Sequence, residues 1–209
     1  NMTLWTEEIR RFVDMYNFGV LMSIDGAPDV QDAQRPSKNG KPVSETVAHW
    51  AKSMLRTRPH AMARATVHPT FVHRLHDSYR YLAELGFQLI TFAASDYSAW
   101  TDRAFVLCQQ ALSHCEQDMR RALQHGTIVH ISAIQYYLKK LVIPRHESGP
   151  ESIVYMKQPC GAGKGYMMID YAGDVWPCHR FDGADTDKRA GGVFRLANIF
   201  QDGFHTELH

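Results

Sequence analysis

Three apolar runs recur along the first half of this chain, each leading into a helix-like stretch, and they restrict the fold more than any other feature. "FGVLMSID" (18–25) is continuously apolar, the pattern of a strand buried on both faces of a parallel sheet; "AMARATV" (61–67) and "FQLITFA" (87–93) read as the next two strands. The 3.6-residue period predicts helices over roughly 44–57, 70–86 and 98–125, the second of them closed by Gly86. A further helix is expected over 3–16, with Thr3 as its N-cap and Leu4, Ile9, Phe12 and Val13 near one face. "GAPDVQDAQRPSKNGKP", after the first strand, reads as a polar loop. Repeated strand–helix units demand right-handed parallel crossovers, so the expected class is α/β with a barrel-like or open sheet.

The pattern changes after Gly126. "TIVHISAIQYYLKKLV" fits strand or helix, and "IPRHESGPES" carries the Pro and Gly punctuation of a linker. "GYMMIDYAGDVWPC" reads as a β-hairpin turning at Ala-Gly-Asp. A domain boundary is therefore expected at 145–155, with residues 1–145 before a linker at 146–155 and a second domain over 156–209.

A net charge of +1 gives no bulk electrostatic drive toward nucleic acid or an anionic membrane, and neither partner is expected. No apolar run approaches a bilayer span, and the N-terminus leads into an amphipathic helix instead of a signal peptide. Four cysteines among 209 residues are too few for a disulfide scaffold; reduced thiols and a cytoplasmic location are expected. The twelve histidines form no HExxH, so a mononuclear zinc site is not signalled. A start without Met and an end at "FHTELH" suggest a piece of a longer protein.

Two constellations carry chemistry. In an α/β sheet, ligands bind at the carboxyl ends of the strands. Ser23 and Asp25 stand at such an end, Arg35 follows in the loop, and Thr66 to His68 and Ser95 to Asp96 open on the same rim. This set suits a polar, carboxylate-bearing ligand, or else is turn chemistry with Arg35 solvated. The second constellation is "CGAGKGYMMIDYAGDVWPCHRF" (160–181). Its "GAGKG" lacks the Ser or Thr and the preceding strand of a phosphate loop. A hairpin turning at Gly173 would bring Cys160 and Cys178 to one end, as cluster or zinc ligands or as an incidental pair. Cys108 and Cys115, seven residues apart on a helix, read as packing thiols.

Together these stretches resemble the radical S-adenosylmethionine enzymes with a SPASM extension. "SIDG" with its trailing Arg, "ARATV" and a "GF" strand look like the later half of the (β/α)6 barrel, about strands 4–6. Cys160-x12-Gly173-x4-Cys178 with "PCHRF" and "LANIF" is similar to the opening of SPASM in peptide maturases and their sulfatase-maturase relatives. The resemblance implies [4Fe–4S] clusters, S-adenosylmethionine, a peptide or protein substrate and an electron donor such as flavodoxin or ferredoxin. It implies that Ser23 and Arg35 contact S-adenosylmethionine, that Ser95 lies near a further contact, and that Arg64 either faces the barrel mouth as another or packs along its strand. It implies that Cys160 and Cys178 ligate an auxiliary cluster. His179 stands where sulfatase maturases carry an Asp proposed as a base, and takes either that role or that of a hydrogen-bond donor to cluster or backbone. The implied reaction is hydrogen abstraction from a peptide by a 5′-deoxyadenosyl radical. Thioether or carbon–carbon crosslinking of a ribosomal peptide is the leading product class; formylglycine formation and a non-catalytic peptide-binding module are the alternatives. The CxxxCxxC that holds the radical-generating cluster in this family is not among these 209 residues, so the chain alone is expected to be inactive.

Overall fold

The computed structural model describes residues 2–95, 98–132, 162–163, 166–181 and 194–201. The chain divides into two compact units, Asn1–Pro144 and Arg145–His209.

The first unit is built on four parallel strands, β1 (Leu21–Ser23), β2 (Met62–Val67), β3 (Leu89–Ala94) and β4 (His130–Ile131), in the order β1-β2-β3-β4. Strand order follows chain order, so each crossover advances in the same direction. That is the winding of a barrel; a doubly wound sheet reverses at a switch point. The connections carry α2 (Pro28–Gln34) and α3 (Ser44–Thr57), then α4 (Leu75–Leu85), then α5 (Asp102–Gln124); α1 (Glu7–Met15) precedes the first strand.

Among the described residues, α3, α4 and α5 pack on one face of the sheet. Met22, Ile24, Ala63, Ala65, Ile90 and Ile131 point into a core shared with Val47 and Met54 of α3, Tyr79 and Leu82 of α4 and Cys115 of α5. Ala63 and Ala65, both fully buried, let the helices approach β2 closely. The alternate positions, Leu21, Ser23, Met62, Arg64, Thr66, Leu89 and Thr91, form a face that stays partly open. The expectation of a first strand buried on both faces is therefore corrected: Leu21 is 55% exposed, and Met22 beside it is 1%. Apolar content made both faces look buried, while the period of two decides which side chain meets the helices.

Three local readings also change. The first helix is capped by Thr6, not Thr3: Thr6 Oγ1 accepts from the Ile9 amide at 3.2 Å, and Glu7 and Glu8 supply the acidic first turn. The segment 70–86 is a 3-10 turn, Pro69–Arg74, leading into α4. The presumed polar loop contains α2, started by Pro28 at its first position. Asp32 of that helix then starts the next one. Its Oδ1 accepts from the Val43 and Ser44 amides (2.7 and 2.8 Å), and its Oδ2 accepts from the Ser44 hydroxyl (2.7 Å).

In the second unit the expected hairpin is present, with β5 (Met168–Ile169) paired antiparallel to β6 (Asp174–Trp176). A third strand, β7 (Ala197–Asn198), lies antiparallel to β6 and was not foreseen. The turn is organised by Asp170, whose Oδ1 accepts from the Ala172 and Asp174 amides and whose Oδ2 accepts from the buried Trp176 indole at 3.0 Å. Gly173 has φ +82°, and a Cβ there would collide with the Phe200 ring, so the close turn needs glycine.

Candidate functional site

The carboxyl ends of β1 and β2 are tied together by one carboxylate. The Ile24 amide donates to the Arg64 carbonyl at 3.1 Å, and the chain then turns Asp25 inward until its side chain is 1% exposed. Asp25 Oδ1 accepts from the Thr66 amide at 2.9 Å and from Arg35 Nη2 at 3.1 Å, while Oδ2 accepts from Arg35 Nε at 2.7 Å. Arg35 Nη2 also donates to the Thr66 hydroxyl at 3.4 Å. The guanidinium is thus held in a two-point grip, the strongest geometry available to an Arg–carboxylate pair. The reading of Arg35 as a solvated turn residue is excluded.

Helix α2 supplies the rest of the frame. Gln31, 1% exposed, accepts from the Asp25 amide through Oε1 at 2.8 Å; Gln34 donates through Nε2 to the Thr66 carbonyl at 3.3 Å. Sequence reasoning missed both glutamines because it read their helix as a loop. The usable signals were Pro28 followed by Asp29 as a helix start, and two glutamines three residues apart.

Asp25, Gln34, Arg35, Thr66, His68 and Phe71 line a cavity of about 490 Å³ at this rim. A larger hollow, about 690 Å³, opens at the opposite ends of β1 and β2 beside Leu21, Arg58, His60 and Met62. The smaller cavity is the better candidate, because its buried carboxylate and two-point guanidinium are built for a polar ligand and it lies at the carboxyl ends.

Ser23 and Arg64 stand one step back along the strands, outside that cavity. They are register partners on the open face, and Thr91 of β3 is the partner of Arg64 on its other side. Thr91 in turn donates to the Ser132 hydroxyl at 2.9 Å. Ser95 follows β3; its amide donates to the Val67 carbonyl at 3.0 Å, its hydroxyl meets that of Ser98 at 2.8 Å, and its carbonyl accepts from the Trp100 indole. Asp96 lies outside the described residues.

In the second unit Cys178 is buried and free, at the start of a 3-10 turn (His179–Phe181). His179 is exposed, and its Nδ1 lies 2.9 Å from the Tyr166 hydroxyl and 3.7 Å from the Cys178 sulfur. The Gly163 amide donates to the Pro177 carbonyl at 3.0 Å, which holds the chain before Tyr166 against the segment carrying Cys178. Cys160 lies outside the described residues, and among those described no three His, Cys, Asp or Glu side chains converge on a metal position.

Solved structures similar to this chain include those of anSMEcpe, an anaerobic sulfatase-maturating enzyme. Native anSMEcpe with bound AdoMet matches at 18% identity and a TM-score of 0.66, over 96% of this chain and 52% of that one. The form with AdoMet and the Cp18Cys peptide matches at 19% identity and 0.65, over 96% and 53%. The chain shares the fold of the corresponding half of these structures. The chain spans about half the length of these structures. No protein-family model matches it, and no curated protein matches its sequence.

The residues present fit S-adenosylmethionine and fit only part of the iron–sulfur complement. The rim cavity combines a guanidinium, a carboxylate, hydroxyl and amide groups and the Phe71 ring, within the volume range of small-ligand sites. The chain holds no CxxxCxxC, so the radical-generating cluster has no ligands here. Among the described residues of the second unit, Cys178 is the one buried thiol.

Proposed function

We propose that this chain is the cofactor- and substrate-facing part of a radical S-adenosylmethionine/SPASM enzyme that modifies a side chain of a peptide or protein. The reading rests chiefly on the Asp25–Arg35 clamp at the carboxyl ends of β1 and β2, on a fold shared with enzymes solved with AdoMet and peptide. Ser23, Arg35 and Ser95 hold the cofactor. Arg64, which the resemblance makes a further candidate for the cofactor, is the register partner of Ser23 on the same face. When bound, S-adenosylmethionine and a reduced [4Fe–4S] cluster together supply the hydrogen-abstracting 5′-deoxyadenosyl radical. This chain's own residues orient the cofactor at the rim and line the space beside it. Cys160 and Cys178 are assigned as auxiliary-cluster ligands, and His179 as a base toward the substrate or a hydrogen-bond donor to cluster or backbone. Flavodoxin or ferredoxin is the electron donor.

Thioether or carbon–carbon crosslinking of a ribosomal peptide is the leading reaction, on the "PCHRF" context of Cys178. Formylglycine formation is the second reading, favoured by the similarity to a sulfatase-maturating enzyme and disfavoured by His179 in place of an acidic base. Among the described residues no helix is long and apolar enough to cross a membrane.

The assignment is tested by equilibrium dialysis of S-adenosylmethionine against the complete polypeptide carrying this chain. Ser23→Ala and Arg35→Gln should each weaken binding about tenfold, the loss of one good hydrogen bond to a charged group. Unchanged affinity in both variants would remove the cofactor from this rim.

A further inference from the structure

Two guanidiniums serve the open side of the first unit, and their charges are treated differently. Arg35 is neutralised by a carboxylate buried to 1% exposure. Arg64 forms no ion pair and no hydrogen bond through its side chain among the described residues, although it is partly buried at the middle of a four-stranded sheet. A half-buried cation without a counter-charge is costly, and long apolar or neutral polar side chains would fill a strand position at less cost.

Its neighbours sharpen the point. Ser23 and Thr91 flank Arg64 in register on strands about 4.8 Å to either side. Met62 and Thr66 lie two residues away on the same face of β2. Thr66 is occupied by Asp25 and Arg35, and Thr91 by Ser132. What Arg64 adds to this part of the face, beside the Ser23 hydroxyl already given to the cofactor, is a guanidinium, a fork of donors matched to a carboxylate. S-adenosylmethionine is a net cation, since its sulfonium and ammonium outweigh its carboxylate. The neutral Arg35–Asp25 pair suits such a ligand, whereas an uncompensated Arg64 beside it calls for an anion from elsewhere.

We infer that Arg64 binds a carboxylate of the peptide substrate, so that this site selects peptides with an acidic residue close to the one modified. The inference rests on the cofactor assignment above. The guanidinium is a specificity group: it sets which peptide is held beside the cofactor and takes no part in bond breaking.

The test selects, on the complete polypeptide loaded with S-adenosylmethionine, from a pool of short synthetic peptides with a central Cys or Ser and randomised flanks. Cofactor affinity is measured in parallel by dialysis. Wild type should enrich Asp and Glu about tenfold or more at one flanking position, the worth of a charge-assisted contact. Arg64→Gln should abolish that preference, Arg64→Glu should turn it toward Lys and Arg, and Arg64→Lys, the gentlest change to the fold, should keep a weaker acidic preference. Cofactor affinity should stay within about twofold throughout. No acidic enrichment by wild type, no retained peptide, or the same enrichment in Arg64→Gln would overturn the inference. So would a tenfold loss of cofactor affinity in Arg64→Gln, which would give Arg64 to the cofactor's own carboxylate. Failure of wild type to bind S-adenosylmethionine at all would instead sink the cofactor reading on which the inference stands.

Discussion

Two carboxylates show how much single residues carry. Asp25 accepts one backbone and two guanidinium hydrogen bonds, so Asp25→Ala leaves the Thr66 amide and Arg35 without their acceptor. Arg35 is 30% exposed and water recovers part of the loss; the expected cost is about 2–3 kcal/mol in urea unfolding, with cofactor binding lost as well. Asp32 acts through helix starts. Burial pushes its carboxyl up, but the Ser44 hydroxyl and the Val43 and Ser44 amides outweigh burial and leave it below the ordinary value. A lowered folded pKa stabilises above the unfolded value of about 3.9 and ceases to do so as pH falls through the folded one. Asp32→Ala should therefore cost about 1–2 kcal/mol at pH 7, a gap that narrows below about pH 4 in pH-resolved melts.

At the scale of elements, the turn after β1 is the tightest joint in the first unit. Gly26 has φ +138°, and a Cβ there would collide with Ser78 of α4, whose hydroxyl accepts from the Ala27 amide at 3.4 Å. Gly26→Ala should destabilise by about 2–3 kcal/mol, through backbone strain and overpacking together, in thermal or urea melts. Helix α5 hides a thiol instead: burial and then Asp118 push Cys115 up to about 12, and burial also raises Cys108. Iodoacetamide at pH 8 should leave Cys115 unmodified in the folded protein and alkylate it on unfolding; rapid native labelling would contradict its place in the core. Strands, the long helices and the hairpin were legible in the sequence because periodicity and the residues that end elements are local. Helix α2 was not, since seven residues among Gly, Pro and Asn read as a loop. Its role depends on Gln31 and Gln34 meeting Asp25 and Thr66, contacts that only the folded chain makes.

For the whole molecule, sequence order already contained the winding, because strand–helix units in succession advance one strand at a time. The residues of the rim were readable as candidates, but not the pairing that neutralises Arg35 and leaves Arg64 without a counter-charge among the described residues. That distinction depends on which carboxylate the fold buries, and Asp25 sits ten residues from its partner. The central claim is radical chemistry on a peptide. The measurement that tests it most directly is 5′-deoxyadenosine formation by the complete polypeptide carrying this chain, reconstituted anaerobically with iron and sulfide and supplied with S-adenosylmethionine and a strong reductant. The account predicts 5′-deoxyadenosine well above the cofactor's background breakdown, falling about tenfold or more in Arg35→Gln at limiting cofactor. A cluster-loaded, folded polypeptide that leaves S-adenosylmethionine intact would contradict it and leave a peptide-binding module on an enzyme's fold.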